Sequence, residues 1–197
     1  MAPLQVYAVE SAELAADIST LSLASGVKPT APNLQAAWQR LAEGEPEVLV
    51  ELLAAMRDAD LTVENWLRTC FDAAAERLLA EGTLPVDPLK KFMRDDDQSP
   101  NARQTAFEWI TRANPDEKPA LLEQMLDDPS LALRYDAIAQ LIERAEAADE
   151  DAAKLEIYKQ ALKSARDPGQ LNDIADALEG LGEEIDLAAE MGFLTKW

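Results

Sequence analysis

Asp128-Pro129-Ser130-Leu131-Ala132-Leu133-Arg134-Tyr135-Asp136-Ala137-Ile138 is the stretch on which the reading of the fold turns. It opens with a side chain able to cap a helix, followed by a proline. The missing proline N–H costs nothing in a first helical turn, where that donor has no partner. The large residues then recur at helical spacing: Leu131, Tyr135, Ile138, Ile142 and Ala145 form one stripe, which this reading turns toward a core.

Working outward, a capping side chain followed by proline recurs at Asp87-Pro88, Ser99-Pro100 and Asp167-Pro168, with Asn114-Pro115 as a fifth case. Between these punctuation marks run further stripes: Leu14, Ile18 and Leu21; Leu34, Trp38 and Leu41; Leu49, Leu52, Leu53 and Met56. A longer segment from about residue 62 to 80 carries Val63, Trp66, Leu67, Cys70 and Ala74, and Gly82 is placed to end it in a left-handed cap. Ala102, Ala106, Trp109 and Ala113, then Leu155, Tyr158, Leu162 and Ala165, then Leu171, Ile174, Leu178 and Leu181 continue the series. No segment alternates as a strand does. Composition agrees, since Ala and Leu supply 63 residues against 14 for Val and Ile, and unbranched side chains lose little freedom in a helix. The fold class expected is all-α, in antiparallel helix pairs joined by short turns. At 197 residues the chain suits a single domain over 1–197.

Second helices starting near Asp60, Ser99, Asp128 and Asp167 are offset by 39, 29 and 39 residues. Laying Arg103 on Arg134 puts Ala106 on Ala137, Phe107 on Ile138 and Ile110 on Leu141, so one charge, one small residue and two large ones recur in register. On these residues the chain resembles the HEAT-repeat family, whose second helices open with a turn aspartate and proline and continue with arginine, alanine and leucine. The resemblance covers residues 87–181 best, is loose over 33–82 and is absent before that. It implies an α-solenoid of stacked pairs, in which Asp128 and Arg134 would help join successive repeats through hydrogen bonds. Ser99 stands where an aspartate would precede Arg103, and the helix after Pro168 has no arginine, so that role is not carried to those repeats. The closing stretch from Leu181 to Trp197 is similar to the end of helical repeats that precede other domains in large bacterial proteins. Residues 193–197, Phe193 to Trp197, read either as the start of a following strand or as an aromatic tail folded back on the last helices.

Charge and residue usage narrow the chemistry. With 18 basic and 38 acidic side chains the net charge is -20, which repels a nucleic-acid duplex or an anionic bilayer, so neither is an expected partner. No apolar run reaches the length of about 18 residues that spans a bilayer, and no basic cluster leads into an apolar stretch at Met1, so a soluble chain is expected and its compartment is left open. The chain has no histidine, which removes the imidazole base, the Ser-His-Asp and Cys-His pairs and the usual zinc sites. Cys70, the one cysteine, sits on an apolar stripe and reads as a buried, inert thiol.

Acidic runs Asp95-Asp96-Asp97 and Asp149-Glu150-Asp151 fall between helices, where carboxylates stay hydrated and favour the next N-terminus. Consecutive loop carboxylates lack the partly buried setting that separates the pKa values of a catalytic pair. Asp97, Ser99, Asn101 and Glu108 match four ligand positions of an EF-hand loop, yet Ala102 stands where its glycine is needed and Pro100 already marks a helix start. The seven glycines are scattered at helix ends and form no phosphate loop. Lys90, Lys91 and Arg94 read as partners for neighbouring aspartates. No cofactor, metal or catalytic residue is expected.

Stacked helix pairs expose one face of their second helices, the surface by which such arrays take peptides and protein domains. The function expected is a non-catalytic module for protein–protein interaction or scaffolding. Its partner-facing positions would be Glu108, Arg112, Asp136, Gln140, Glu143, Asp173 and Asp176, mostly acidic, so a protein or peptide with basic character is the first expectation. The alternatives are a spacer or accessory domain of a larger multidomain protein and, behind it, a weak calcium-binding module.

Overall fold

The structure is a computed structural model that describes residues 4–23 and 31–190. Residues 193–197, for which two readings were open, lie outside the described residues. Helices account for the regular structure, and no strand occurs among the described residues. In order they are α1 (Leu4–Ser22), α2 (Pro32–Ala42), α3 (Val48–Ala55), α4 (Leu61–Ala80), α5 (Val86–Met93), α6 (Pro100–Ala113), a 3-10 turn (Pro115–Glu117), α7 (Lys118–Glu123), α8 (Leu131–Glu146), α9 (Asp151–Ser164), α10 (Pro168–Gly180) and α11 (Leu187–Glu190). The chain divides into two compact units, one ending at Pro115 and one beginning at Asp116.

In the first unit each odd-numbered helix packs on the even-numbered helix after it. Like also meets like: α1 touches α3, α3 touches α5, α2 touches α4 and α4 touches α6. Leu34, Ala37 and Leu41 of α2, Leu49, Leu52 and Leu53 of α3, and Leu67, Cys70, Phe71 and Ala74 of α4 are buried together with Leu89 of α5 and Ala106 and Ile110 of α6. Trp38 Nε1 donates to Thr69 Oγ1 at 3.4 Å, and Arg77 donates to the carbonyls of Ala42 and Gly44 at the end of α2. Residue numbers rise together along this seam, so α2 and α4 run parallel. The Arg77 contacts also satisfy carbonyls that the end of α2 leaves without an intrahelical donor.

In the second unit α8 packs on α7, α9 and α10, and α9 on α10. Ile138, Leu141 and Ala145 of α8, Tyr158, Ala161 and Leu162 of α9, and Leu171, Ile174 and Leu178 of α10 form its core.

Helix ends show which local signals act. Asp167 caps α10 by accepting the Gln170 N–H at 3.0 Å, with Pro168 at the first helical position. Pro100 opens α6 after Ser99, whose side chain, against expectation, makes no capping hydrogen bond. The other proline pairs are displaced from the expected starts. Asp87 and Pro88 lie inside the first turn of α5, which begins at Val86; α8 is capped by Ser130, two residues past Asp128; and Pro115 opens the 3-10 turn before α7. All three remain within a first turn or its approach, where a missing N–H is tolerated. Gly82 has φ +72°, and the N–H groups of Gly82 and Thr83 bond the Leu79 and Leu78 carbonyls at 3.1 and 2.8 Å, which makes a Schellman cap. Gly182, at φ +91°, ends α10 in the same way.

The stripe read from Leu131 is the main correction. Leu133, Ala137, Ile138, Leu141 and Ala145 face the core of the second unit, whereas Leu131 is 68% and Tyr135 47% exposed. The rest of the expected stripe is covered: Ile138 and Ala145 are buried and Ile142 packs against the same core, so only Leu131 and Tyr135 in its first turns are left exposed.

Candidate functional site

Along α4, Glu64, Arg68, Asp72 and Glu76 recur every four residues and therefore line one face. Along α6, Asn101, Thr105, Glu108, Trp109 and Arg112, spaced three or four residues apart with Glu108 beside Trp109, line one face. The two rows meet. Asn101 Nδ2 donates to Glu64 Oε1 at 2.7 Å, and Arg68 donates to Thr105 Oγ1 at 2.8 Å and to Glu108 Oε2 at 2.5 Å. Trp109 Nε1 donates to Asp72 Oδ1 at 2.8 Å, and Arg112 Nη2 reaches Glu76 Oε2 at 2.7 Å. Partners ascend together from Glu64–Asn101 to Glu76–Arg112, so α4 and α6 lie side by side and parallel. A groove of about 340 Å³ follows this ladder, walled by Arg68, Asp72, Glu76, Glu108, Trp109 and Arg112. The Arg112 guanidinium stacks 4.6 Å above the Trp109 ring, and Trp109 meets Phe71 edge-on beneath.

Burial disfavours the Arg68 charge, and the carboxylates of Asp72 and Glu108 more than offset that, so its pKa rises above the ordinary arginine value. Exposed pairs of this kind each contribute about 0.2–1 kcal/mol, so the ladder sets register between helices more than it holds the unit together.

Two expected partner-facing residues, Glu108 and Arg112, thus sit in the ladder. The others are on α8 and α10. Asp136 is half-buried; Gln140 is also half-buried and donates to the Pro119 carbonyl at 3.0 Å, which turns it toward α7. Glu143, Asp173 and Asp176 are exposed. The helices α8 and α10 are linked where Gln170 Nε2 donates to the Tyr135 carbonyl at 2.9 Å. Arg68, Asp72, Glu76 and Trp109 were not among the sequence candidates. The spacing of four on α4 was the available signal, but a charged stripe on one helix does not name its partner helix.

Of the two residues implied by resemblance, Arg134 donates Nε to the Asp128 carbonyl at 2.8 Å and Nη2 to the Asp127 carbonyl at 3.0 Å. Asp128 Oδ1 accepts the Ser130 N–H at 2.8 Å. Arg103, laid on Arg134 by the sequence, likewise donates Nε to a carbonyl of the preceding segment, that of Met93 at 2.7 Å, and pairs with Asp96 at 2.9 Å. The aligned residues Ala106 and Ala137, Phe107 and Ile138, and Ile110 and Leu141 are all buried.

The residues that matched EF-hand positions do not form a loop, because α6 runs from Pro100 through Glu108, which is paired with Arg68. Among the described residues no three acidic or cysteine side chains converge on one point. Cys70 is buried, which pushes its thiol up to about 12. No helix among the described residues is long and apolar enough to cross a membrane. No family model, curated protein or solved structure matches the chain.

Proposed function

We propose that this is a non-catalytic protein-interaction module of the HEAT-like kind, with helix pairs stacked so that successive second helices lie abreast. The observation that carries the reading is the parallel seam from α2 to α4 to α6, in which first helices touch first helices and second helices touch second helices. The recurring arginine, bonded back to a carbonyl at Arg103 and at Arg134, supports a repeat register.

The ladder uses Glu108 and Arg112 in ion pairs within the molecule, which would have to break before a partner could use them. Glu143, Asp173 and Asp176 are exposed and better suited to recognition, and a partner segment rich in lysine or arginine complements them. Binding of a lysine-rich peptide, followed by fluorescence anisotropy, is expected to weaken as salt rises from about 50 to 500 mM through screening. It is also expected to be lost when Glu143→Lys, Asp173→Lys and Asp176→Lys are combined. Binding that survives the triple charge reversal would remove these residues from the interface.

A further inference from the structure

Between the first turns of α8 and α10 lies a second groove, of about 180 Å³, walled by Leu131, Arg134, Tyr135, Arg166, Pro168 and Gln170. Its apolar part is the exposed start of α8: Leu131 and Tyr135 stand four residues apart on one face and are both exposed. Leu131 and Tyr135 border Pro168 in this groove and give it an apolar floor one side chain wide.

In a strongly acidic chain this groove carries two arginines, Arg134 and Arg166, against one carboxylate, that of Asp167. Six of the eight other arginines, Arg40, Arg68, Arg77, Arg103, Arg112 and Arg144, pair with a carboxylate. The two groove arginines instead bond main-chain carbonyls. Arg134 holds those of Asp127 and Asp128, and Arg166 holds those of Lys163 and Ala165 at 3.0 and 2.6 Å. A carbonyl orients a guanidinium without cancelling its charge. Asp167 also lines the groove, and its Oδ1 accepts the Gln170 N–H in capping α10.

We propose that this groove is a docking site for a peptide segment that joins a large apolar side chain to carboxylates. The apolar side chain covers Leu131, Tyr135 and Pro168 while the carboxylates meet Arg134 and Arg166. This surface and its ligand chemistry differ from the acidic positions proposed above, so either reading can fail alone.

The test uses the whole chain, labelled with nitrogen-15, and three capped hexapeptides: EDLFDE, EDSSDE without the apolar pair, and KKLFKK with reversed charge. EDLFDE at up to about 1 mM, the weak end of specific affinity, is expected to shift the amides of Leu131, Tyr135, Arg166 and Gln170. Arg166→Glu and Leu131→Ser, both at exposed side chains, are each expected to weaken that binding at least tenfold with far-ultraviolet dichroism unchanged. The proposal is overturned if EDSSDE or KKLFKK shifts the same amides as strongly, if EDLFDE leaves them unmoved, or if they shift only with protein concentration because a second copy covers the groove. Shifts confined to Glu143, Asp173 and Asp176 with KKLFKK would support the acidic-face reading independently.

Discussion

Arg103 shows how one side chain can hold a turn together. It is 2% exposed, its Nε binds the Met93 carbonyl at 2.7 Å, and a nitrogen of its guanidinium pairs with exposed Asp96. Replacing it with methionine keeps the aliphatic volume and strands a carbonyl away from water, so Arg103→Met is expected to cost about 1–3 kcal/mol in urea denaturation. The half-exposed Arg112→Met, which loses one surface pair and the stacking of its guanidinium on Trp109, should cost about 0.5–2 kcal/mol in the same assay. Cys70 makes a prediction about pH. Burial raises its pKa from 9.0 to about 12, so the folded chain keeps the thiol proton over a range in which the unfolded chain releases it. That stabilisation is fully present below pH 9.0 and is lost as pH climbs toward about 12. Iodoacetamide should therefore label the folded protein at pH 8 only as fast as it opens, and Cys70→Ala should flatten the alkaline limb of stability. The burial of Cys70 was legible from its place on an apolar stripe. The reach of Arg103 to Met93 was not, because a stripe says which face is covered and not which carbonyl lies beneath.

At the scale of the helix, caps were the most legible features, since they depend on residues within one turn of each other. Gly82 and Gly180 separate two roles of one residue type. Gly82 has φ +72°, and a methyl group added there would meet nothing within 4 Å, so Gly82→Ala should destabilise through the backbone alone, by about 1 kcal/mol. Gly180 ends the helical part of α10 with open space around it, and Gly180→Ala should stabilise by about 0.4–1 kcal/mol by restricting the unfolded chain. Thermal melts of the two variants would show shifts of opposite sign. The helix starts after Asp87, Asn114 and Asp128 were less legible. A proline is tolerated anywhere in the first turn, so it brackets a start without choosing among neighbouring residues, and at α8 the hydroxyl of Ser130 takes the capping place. The stripe of α8 departs from expectation for a related reason. Leu131 and Tyr135 share the helical period of the covered Ile138, Ile142 and Ala145, and only the positions of the neighbouring helices decide that the first turns are covered through Leu133 and Ala137 instead.

For the molecule as a whole, the excess of 20 negative charges opposes compaction, and the ion pairs of the ladder work in the other direction. Each exposed pair is worth little, so repulsion should dominate: Tm is expected to rise as salt goes from about 10 to 150 mM, over which the screening length falls from about 30 to 8 Å. A falling Tm would mean that the ladder outweighs the net charge. The all-helical class and the exclusion of histidine chemistry came from composition and local spacing, because helix propensity and residue inventory are properties of a few neighbouring residues or of the chain as a whole. The meeting of Arg68, Asp72 and Glu76 with Thr105, Trp109 and Arg112, some 36 to 40 residues away, was decided only by packing. So were the turning of Gln140 toward Pro119 and the exposure of Leu131 and Tyr135. Periodicity fixes the faces of a helix, but which face meets a neighbour depends on how helices distant in sequence fill one another's grooves.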